Sequence, residues 1–296
     1  AFCGYHGWHD WYLATNINKN QNLNSHLLKN LPINGVPKNL ANSIFPFKFN
    51  DYNELEKIVS RKNIGVICME VVRSELPKDS FLQKVRKLAN KKGIVLIFDE
   101  CTSGFRKNYG GIHKIFKVNP DIALFGKALG NGYAITAIIG KKDIMKNAQK
   151  SFISSTFWTE RIGPTAGIAT LKEMKRLKSW EIIDKTGNQI IKKWNELGKK
   201  YDLNLQISGL PSLCSFNFTS KNNQNYKTLI TQEMLKQGFL ASNTVYVSIS
   251  HTRKIIDRYF HELEKIFKLI QQCEDGYNVK KLLRHPVSIS GFDRLN

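Results

Sequence analysis

Short, continuous apolar runs alternate along this chain with stretches whose apolar residues recur at helical spacing. The runs lie at residues 65–72, 94–98, 122–125 and 134–139. Continuous apolar runs of this length predict strands covered on both faces. Between two of them, residues 81–92 place Leu82, Val85 and Leu88 on one stripe, which predicts a helix ending at Gly93. Strands separated by helices predict a parallel or mixed α/β sheet with right-handed crossovers.

The pattern of apolar residues changes beyond this region. Two long helices are predicted at 163–178 and 180–200. The pattern then predicts short strands and two further helices, with strands at 203–207, 213–218, 239–240 and 245–249 and helices at 226–237 and 253–273. We therefore predict a large α/β domain over 1–178 and a smaller C-terminal α+β domain over 179–296.

The first fifty residues are irregular and rich in aromatic residues and turn signals. Phe45, Phe47 and Phe49 alternate with other residues, so they are expected to be able to pair in a sheet. Asp51 begins a predicted helix and Glu54 follows three residues later, which is a capping box with Asp in the usual Ser/Thr place.

Composition indicates a globular protein of 296 residues, with 42% hydrophobic and 23% charged residues. No apolar run reaches the roughly 20 residues of a membrane span, and the first residues have neither a signal core nor an initiator Met. We expect the chain to begin inside a longer gene product. Its five cysteines are scattered singly, which favours a reducing cytoplasm and no metal site.

The formal net charge of +21 raises the alternative of nucleic-acid binding. The lysines are dispersed among asparagines, however, and no dense basic arm with interleaved aromatic residues is present in the sequence. Solvated lysine-rich helix faces explain the charge more simply, and a salt-dependent DNA-binding assay separates the two interpretations.

Two reactive side chains follow the apolar runs of the predicted sheet. Asp99 comes directly after the run 94–98, and Lys127 follows 122–125 and Gly126. Because parallel strands end at one edge of a sheet, both side chains are expected at the same cleft. There they suit pyridoxal phosphate (PLP): the amine forms a Schiff base and the carboxylate keeps the pyridine nitrogen protonated. Taken alone, the lysine is one surface lysine among many and the aspartate a turn or N-cap residue.

Four strings in the same order resemble one family. They are GYHGWHD at 4–10, FDECTSGFR at 98–106, PDIALFGKALGNG at 120–132 and STF at 155–157. The family is the class III (fold-type I) PLP-dependent aminotransferases, and within it the glutamate-1-semialdehyde aminomutase-like group. The resemblance implies a fold-type I PLP transferase, with a mixed, mostly parallel sheet flanked by helices and a smaller C-terminal α+β domain. The chain resembles only the later part of a family member and lacks the family's N-terminal portion.

The resemblance also implies roles for individual residues. Lys127 is the catalytic Schiff-base lysine, whose amine must be neutral to attack an aldehyde, a state that burial favours. The other cofactor-binding residues are Asp99 at the ring nitrogen, Tyr5 stacked on the ring, His6 beside it, and Thr156. In this family the threonine reaches the cofactor phosphate of a neighbouring subunit, so a homodimer with shared active sites is implied.

Two further positions are assigned to the substrate side, where the sequence departs from the family. Glu70 resembles a glutamate near the substrate, but Val71 replaces the proline that usually follows it. Trp158 belongs to a string of bulky and charged residues that replaces the family's small-residue string. Aminomutase specificity is therefore not transferred to this chain.

The sequence thus predicts a PLP-dependent aminotransferase acting through a Lys127 Schiff base. It would move an amino group from an amino-acid donor to an aldehyde or keto acceptor, such as a semialdehyde or a keto-sugar. Two alternatives stay open: an intramolecular 1,2-aminomutase that uses the same residues, and a catalytically incompetent fragment. The second arises because the family's phosphate-binding loop lies upstream of the segment that this chain resembles.

Overall fold

A computed structural model of the chain describes residues 1–18, 22–23, 31–72, 74–154, 156 and 159–290. These residues divide into two compact units, one within Ala1–Lys178 and one at Ser179–Ser290. In the described part of the chain, no helix is long and apolar enough to cross a membrane.

The first unit is built on a five-stranded sheet. Its strands are β1 (Phe2–Cys3), β2 (Val66–Glu70), β3 (Val95–Asp99), β4 (Ile122–Phe125) and β5 (Ala137–Gly140). Its α-helices are α1 (Asp10–Leu13), α2 (Tyr52–Arg61), α3 (Phe81–Lys92), α4 (Lys142–Met145) and α5 (Ile162–Leu177). The strands lie in chain order; β1 to β4 are parallel and β5 is antiparallel to β4. This is the mixed, mostly parallel sheet that the apolar runs predict.

The helix ends follow the predicted capping chemistry. The Asp51 side chain accepts a hydrogen bond from the Glu54 N–H at the start of α2. The Glu54 carboxylate, in turn, accepts from the Lys48 N–H, so it does not return to the N-cap residue as in a complete capping box. Gly93 ends α3 with φ of 66°, a left-handed conformation that glycine adopts without strain.

The two faces of the sheet are covered unequally. Ile67 and Met69 are fully buried on one face of β2, whereas Val66 on the other face is 42% exposed. The second face of β2 is thus covered only in part, because Val66 is open while Glu70 on the same face is 5% exposed. A run of apolar residues shows that a strand can be buried, but it does not specify what packs against each face.

The alternating phenylalanines near residue 47 make less sheet than expected. Phe2 donates its N–H to the Phe45 carbonyl, and Phe47 donates to the Phe2 carbonyl. The pairing is an isolated bridge between Phe2 and Pro46 and not a strand. The proline has no N–H to extend the ladder.

The second unit combines helices with a small antiparallel sheet. Its elements are α6 (Ser179–Lys200), β6 (Leu205–Ser208), β7 (Leu213–Phe218), α7 (Asn223–Lys236), β8 (Thr244–Tyr246) and α8 (Arg253–Glu274). Trp194, Phe216 and Phe267 form part of its core. The strand predicted at 239–240 is wrong, because the Phe239 N–H caps α7 on the Met234 carbonyl after Gly238 turns the chain at φ of 78°.

Asp121 ties three elements together where β4 begins. Its carboxylate is 7% exposed and accepts from Arg86 at 2.9 Å and from the Leu96 N–H at 2.8 Å. Lys141 lies 2.7 Å from its second oxygen. Burial opposes the charge, but the Leu96 N–H and the two cations hold the pKa of Asp121 below its ordinary value.

We expect Asp121→Asn to lower the free energy of unfolding by about 2–4 kcal/mol, because it leaves the half-buried Arg86 without its carboxylate. Urea unfolding at neutral pH measures this change. The matched control is Asp143→Asn, because the Asp143 carboxylate is 91% exposed beside Lys146. This substitution should change the free energy of unfolding by less than about 0.5 kcal/mol. Equal effects of the two substitutions would contradict the assignment. Since the pKa of Asp121 is depressed, its contribution should disappear as the pH falls below the ordinary value of 3.8.

Candidate active site

The carboxyl ends of β2, β3 and β4 lie side by side at one edge of the sheet. The strand register pairs Glu70 with Asp99 and Asp99 with Leu124. Lys127 begins a 3-10 turn two residues after β4 ends. Three of the residues singled out in the sequence are therefore placed along the same edge, because parallel strands present their carboxyl ends together.

Asp99 is paired with His6. The His6 Nδ1 lies 2.8 Å from Asp99 Oδ2, and the two side chains are only 2% and 10% exposed. The second ring nitrogen, Nε2, lies 3.0 Å from the Cys3 carbonyl oxygen. Both nitrogens thus face acceptors, an arrangement that the doubly protonated imidazolium satisfies.

The electrostatics of this pair agree with its geometry. Burial by itself lowers the pKa of His6, but the hydrogen bond to Asp99 and nearby negative charge outweigh it and raise the pKa to about 10. Burial likewise opposes ionisation of Asp99, yet the hydrogen bonds from His6 and from the Cys101 N–H hold its pKa below the ordinary value. At neutral pH the two groups form a buried ion pair.

Lys127 stands in an unusual backbone conformation. Its φ is 46°, in the left-handed region that residues with a Cβ rarely adopt, and the Gly130 and Asn131 N–H groups both donate to its carbonyl. Its Nζ donates to Thr102 Oγ1 at 2.6 Å. The Lys127 side chain is exposed in the described chain, so the burial expected around this amine is not present there.

Cys101 lies between the two residues predicted to hold the cofactor. A Cβ added to Gly126, next to Lys127, would come within 3.3 Å of Cys101 Sγ. Burial, the main cause, and the neighbouring Asp99 together raise the pKa of Cys101 to about 12, with Lys127 acting in the opposite direction. Cys101 thus lies against the backbone next to Lys127, and its N–H donates to Asp99 Oδ1. In the sequence, Cys101 is marked only by its place in the string at 98–106, two residues after Asp99.

Glu70 holds the loop that carries Tyr5. Its Oε2 accepts from the Tyr5 N–H at 3.2 Å, and the carboxylate also approaches Gly4, whose φ of 102° and missing side chain permit this contact. The Tyr5 ring packs edge-on against Tyr12, with centroids 5.8 Å apart. Glu70 thus positions the aromatic loop, a contact that its strand-end location alone does not predict.

The remaining predicted positions lie in the segment before α5. Thr156 is exposed. Trp158, assigned to the substrate side, lies outside the described residues, as do the neighbours of Thr156 in the STF string. Glu160 from the atypical string accepts hydrogen bonds from the Ile162 and Gly163 N–H groups. The departure from the family pattern therefore supplies a cap for α5.

Two cavities of the first unit lie on opposite faces of the sheet, since one is lined by Leu124 and the other by Ala123 and Phe125. The cavity on the Leu124 side measures about 560 Å³ and reaches His6 and Asp99. The other, about 680 Å³, is lined by none of the predicted site residues that the structure describes. We place the site in the cavity on the Leu124 side, at the end where Asp99 lies, because the paired side chains of His6 and Asp99 bring charge there.

Comparison with known proteins identifies the family. The profile described as Aminotransferase class-III matches residues 3–272, and the chain belongs to that family. It is 30% identical over 290 residues to the 3-aminobutyryl-CoA aminotransferase of Cloacimonas acidaminovorans, covering 95% of this chain and 65% of that protein. It is also 30% identical to the glutamate-1-semialdehyde 2,1-aminomutase of Sulfolobus acidocaldarius, covering 90% and 67%. The chain thus spans about two thirds of these relatives.

Solved structures share the fold. The PLP internal aldimine form of the FumI protein from Sphingopyxis sp. MTA144 superposes with a TM-score of 0.79 at 19% identity, covering 95% of this chain and 67% of that one. An omega-transaminase from Sphaerobacter thermophilus gives 0.75 at 19% identity, covering 90% and 67%. The family and the fold-type I class predicted from the sequence motifs are confirmed.

Proposed function

We propose that this protein is a PLP-dependent aminotransferase that moves an amino group from an amino-acid donor to an aldehyde or keto acceptor. One observation carries the proposal: the Lys127 amine and the buried Asp99 carboxylate follow neighbouring strands at their carboxyl ends and contact the same turn, since Lys127 Nζ donates to Thr102 Oγ1 and Asp99 Oδ1 accepts from the Cys101 N–H. Membership of the class III family supports the same reaction class.

The residues present fit the cofactor. Asp99 accepts hydrogen bonds from His6 and from Cys101, and its two oxygens have further lone pairs for a protonated ring nitrogen. Lys127 is exposed and can reach an aldehyde, and Tyr5 offers a half-buried aromatic ring. When bound, PLP supplies an electron sink for charge that develops at the donor Cα.

Each residue then has a definable task. Lys127 would hold the cofactor through its aldehyde and, once displaced by the donor's amine, take the proton from the donor Cα. Asp99 would bind the protonated ring nitrogen, with His6 holding the carboxylate in place, and Tyr5 would fix the ring plane by stacking.

A homodimer with shared active sites is the second part of the proposal. Thr156 is exposed, and the preceding Phe152 and Ile153 are 99% and 57% exposed. Apolar side chains displayed this openly favour contact with another protein surface. We infer that this surface is a second copy of the chain, as the family resemblance at Thr156 implies. Sedimentation velocity should give a dimer that Phe152→Ser weakens; a monomer at all concentrations would contradict it.

An intramolecular aminomutase is the alternative, favoured by relatives of that name at 30% identity. The two activities differ in whether the amino group leaves for an external acceptor. We expect net transfer from glutamate to an added keto acid, measured by the formation of 2-oxoglutarate. Isomerisation of an amino aldehyde without such transfer would favour the aminomutase. A semialdehyde and a keto-sugar are the acceptors to compare.

The direct test is attachment of the cofactor. The protein with excess PLP should develop an absorbance band that borohydride abolishes, and peptide mapping should place the reduced label on Lys127. The unlabelled lysines of the same digest serve as internal controls. A label on another lysine, or no stable label, would overturn the proposal.

A further inference from the structure

Residues 99–104 form a turn, here called the 99–104 turn, with a defined hydrogen-bonding pattern. The Asp99 Oδ1 accepts from the Cys101 N–H at 3.0 Å, and the Gly104 N–H donates to the Glu100 carbonyl at 2.8 Å. The Glu100 N–H donates to the Leu124 carbonyl at 2.9 Å and so ties the turn to β4. The turn is therefore held by the same side chain that is proposed to bind the ring nitrogen.

A buried carboxylate anchors this turn. Glu100 is completely buried, and its two oxygens accept from the Ser103 hydroxyl at 2.5 Å and from the N–H of His113 at 2.9 Å. The His113 Nδ1 also lies 2.9 Å from the carboxylate. A buried carboxylate with its hydrogen-bonding capacity used in this way keeps the turn rigid.

The turn presents Thr102 to Lys127. The lysine Nζ donates to Thr102 Oγ1 at 2.6 Å, across 25 residues of chain. Strained backbone conformations such as the φ of 46° at Lys127 persist where the surrounding structure enforces them, and they cluster at functional sites. The backbone of Lys127 and the end of its side chain are thus both restrained.

We propose that Thr102 is a positioning residue for the Lys127 amine, which it holds in place for bonding to the cofactor aldehyde. This inference rests on the proposed function. A lysine side chain has four flexible carbons, and its amine explores many positions unless one contact selects among them. The rigid 99–104 turn then links both ends of the cofactor site, because Asp99 shapes the turn that carries Thr102.

The first test uses the protein without cofactor. Lysine labelled with carbon-13 at Cε reports the order of each side chain by NMR relaxation. In Thr102→Val, which keeps the shape and removes the hydroxyl, the order parameter of Lys127 should fall about twofold, and Thr102→Ser should retain it. Thr231→Val, at an exposed threonine of α7, is the matched control and should leave Lys127 unchanged.

The second test measures attachment. The rate at which PLP forms the borohydride-reducible bond to Lys127 should fall about tenfold in Thr102→Val and recover in Thr102→Ser. The reason is that this rate depends on how well the amine is aligned with the aldehyde. Trapping of Lys127 by formaldehyde and borohydride should change less than about twofold, because a small aldehyde reports access to the amine and needs no alignment.

The outcomes separate this inference from the proposed function. An unchanged Lys127 order parameter in Thr102→Val, or an unchanged PLP attachment rate, would overturn the positioning role even if the wild-type protein binds PLP. A lowered order parameter with no PLP label on Lys127 in the wild type would establish the contact and overturn the proposed function. Equal losses in Thr102→Val and Thr102→Ser would also overturn the inference, since they would reflect a disturbed turn and not the hydroxyl.

Discussion

Replacing Lys127 with alanine is expected to reduce amino transfer by the PLP-supplemented protein by about 10³-fold or more. The substitution removes both the nucleophile that holds the cofactor and the base that takes the proton from the donor Cα, and residues that act in two steps show losses of this size. Because the Lys127 side chain is exposed, the free energy of unfolding should change by less than about 1 kcal/mol.

The controls for this prediction separate chemistry from charge. Lys142→Ala removes an exposed lysine of α4 and should keep full activity. Added methylamine should restore part of the activity of Lys127→Ala, because a free amine can move the same proton. A loss smaller than about tenfold in Lys127→Ala would show that this lysine does not carry the reaction.

The second large effect is expected at Asp99. Asp99→Asn removes the carboxylate from a pair whose side chains are 2% and 10% exposed, so the buried His6 loses the counter-charge that stabilises its protonated form. The free energy of unfolding should fall by about 3–5 kcal/mol. Activity should fall by about 10²-fold or more, because the ring nitrogen loses the charge that keeps it protonated.

A double variant tests whether the loss of stability comes from the pair. His6→Gln with Asp99→Asn removes both charges, and it should recover much of the stability without recovering activity. Equal stability losses in the single and double variants would contradict the ion pair. Recovery of activity in the double variant would contradict the role of Asp99 at the ring nitrogen.

The pH dependence follows from the two pKa shifts. The pKa of His6 is raised from 6.5 to about 10, so its contribution to stability is complete below pH 6.5 and is lost as the pH rises toward 10. The pKa of Asp99 is lowered from 3.8, so its contribution is complete above that value and is lost in acid. The difference in the free energy of unfolding between wild type and Asp99→Asn should therefore be largest between pH 3.8 and pH 6.5. Urea unfolding at several pH values measures it.

Local patterns in the sequence were sufficient to predict most elements of the fold. The helix Phe81–Lys92 and the strand Ile122–Phe125 form as the spacing of their apolar residues predicts. Asp99 and Lys127 could be predicted as strand-end residues for the same reason, since a strand that ends at a polar residue places it at the sheet edge. The residue types at this edge, a carboxylate and an amine, are enough to predict a PLP site there.

The contacts that hold the side chains of the site in place are not predicted by any local sequence pattern. His6 and Asp99 lie 93 residues apart, and only the parallel pairing of β1, β2 and β3 brings them within 2.8 Å. The hydrogen bond from Lys127 to Thr102, likewise, depends on a turn anchored by buried Glu100. Periodicity reports which face of an element is apolar, but long-range side-chain pairing is set by strand register and packing. Local sequence patterns therefore predict the elements and the reactive groups, whereas contacts between distant segments set which side chains each reactive group meets.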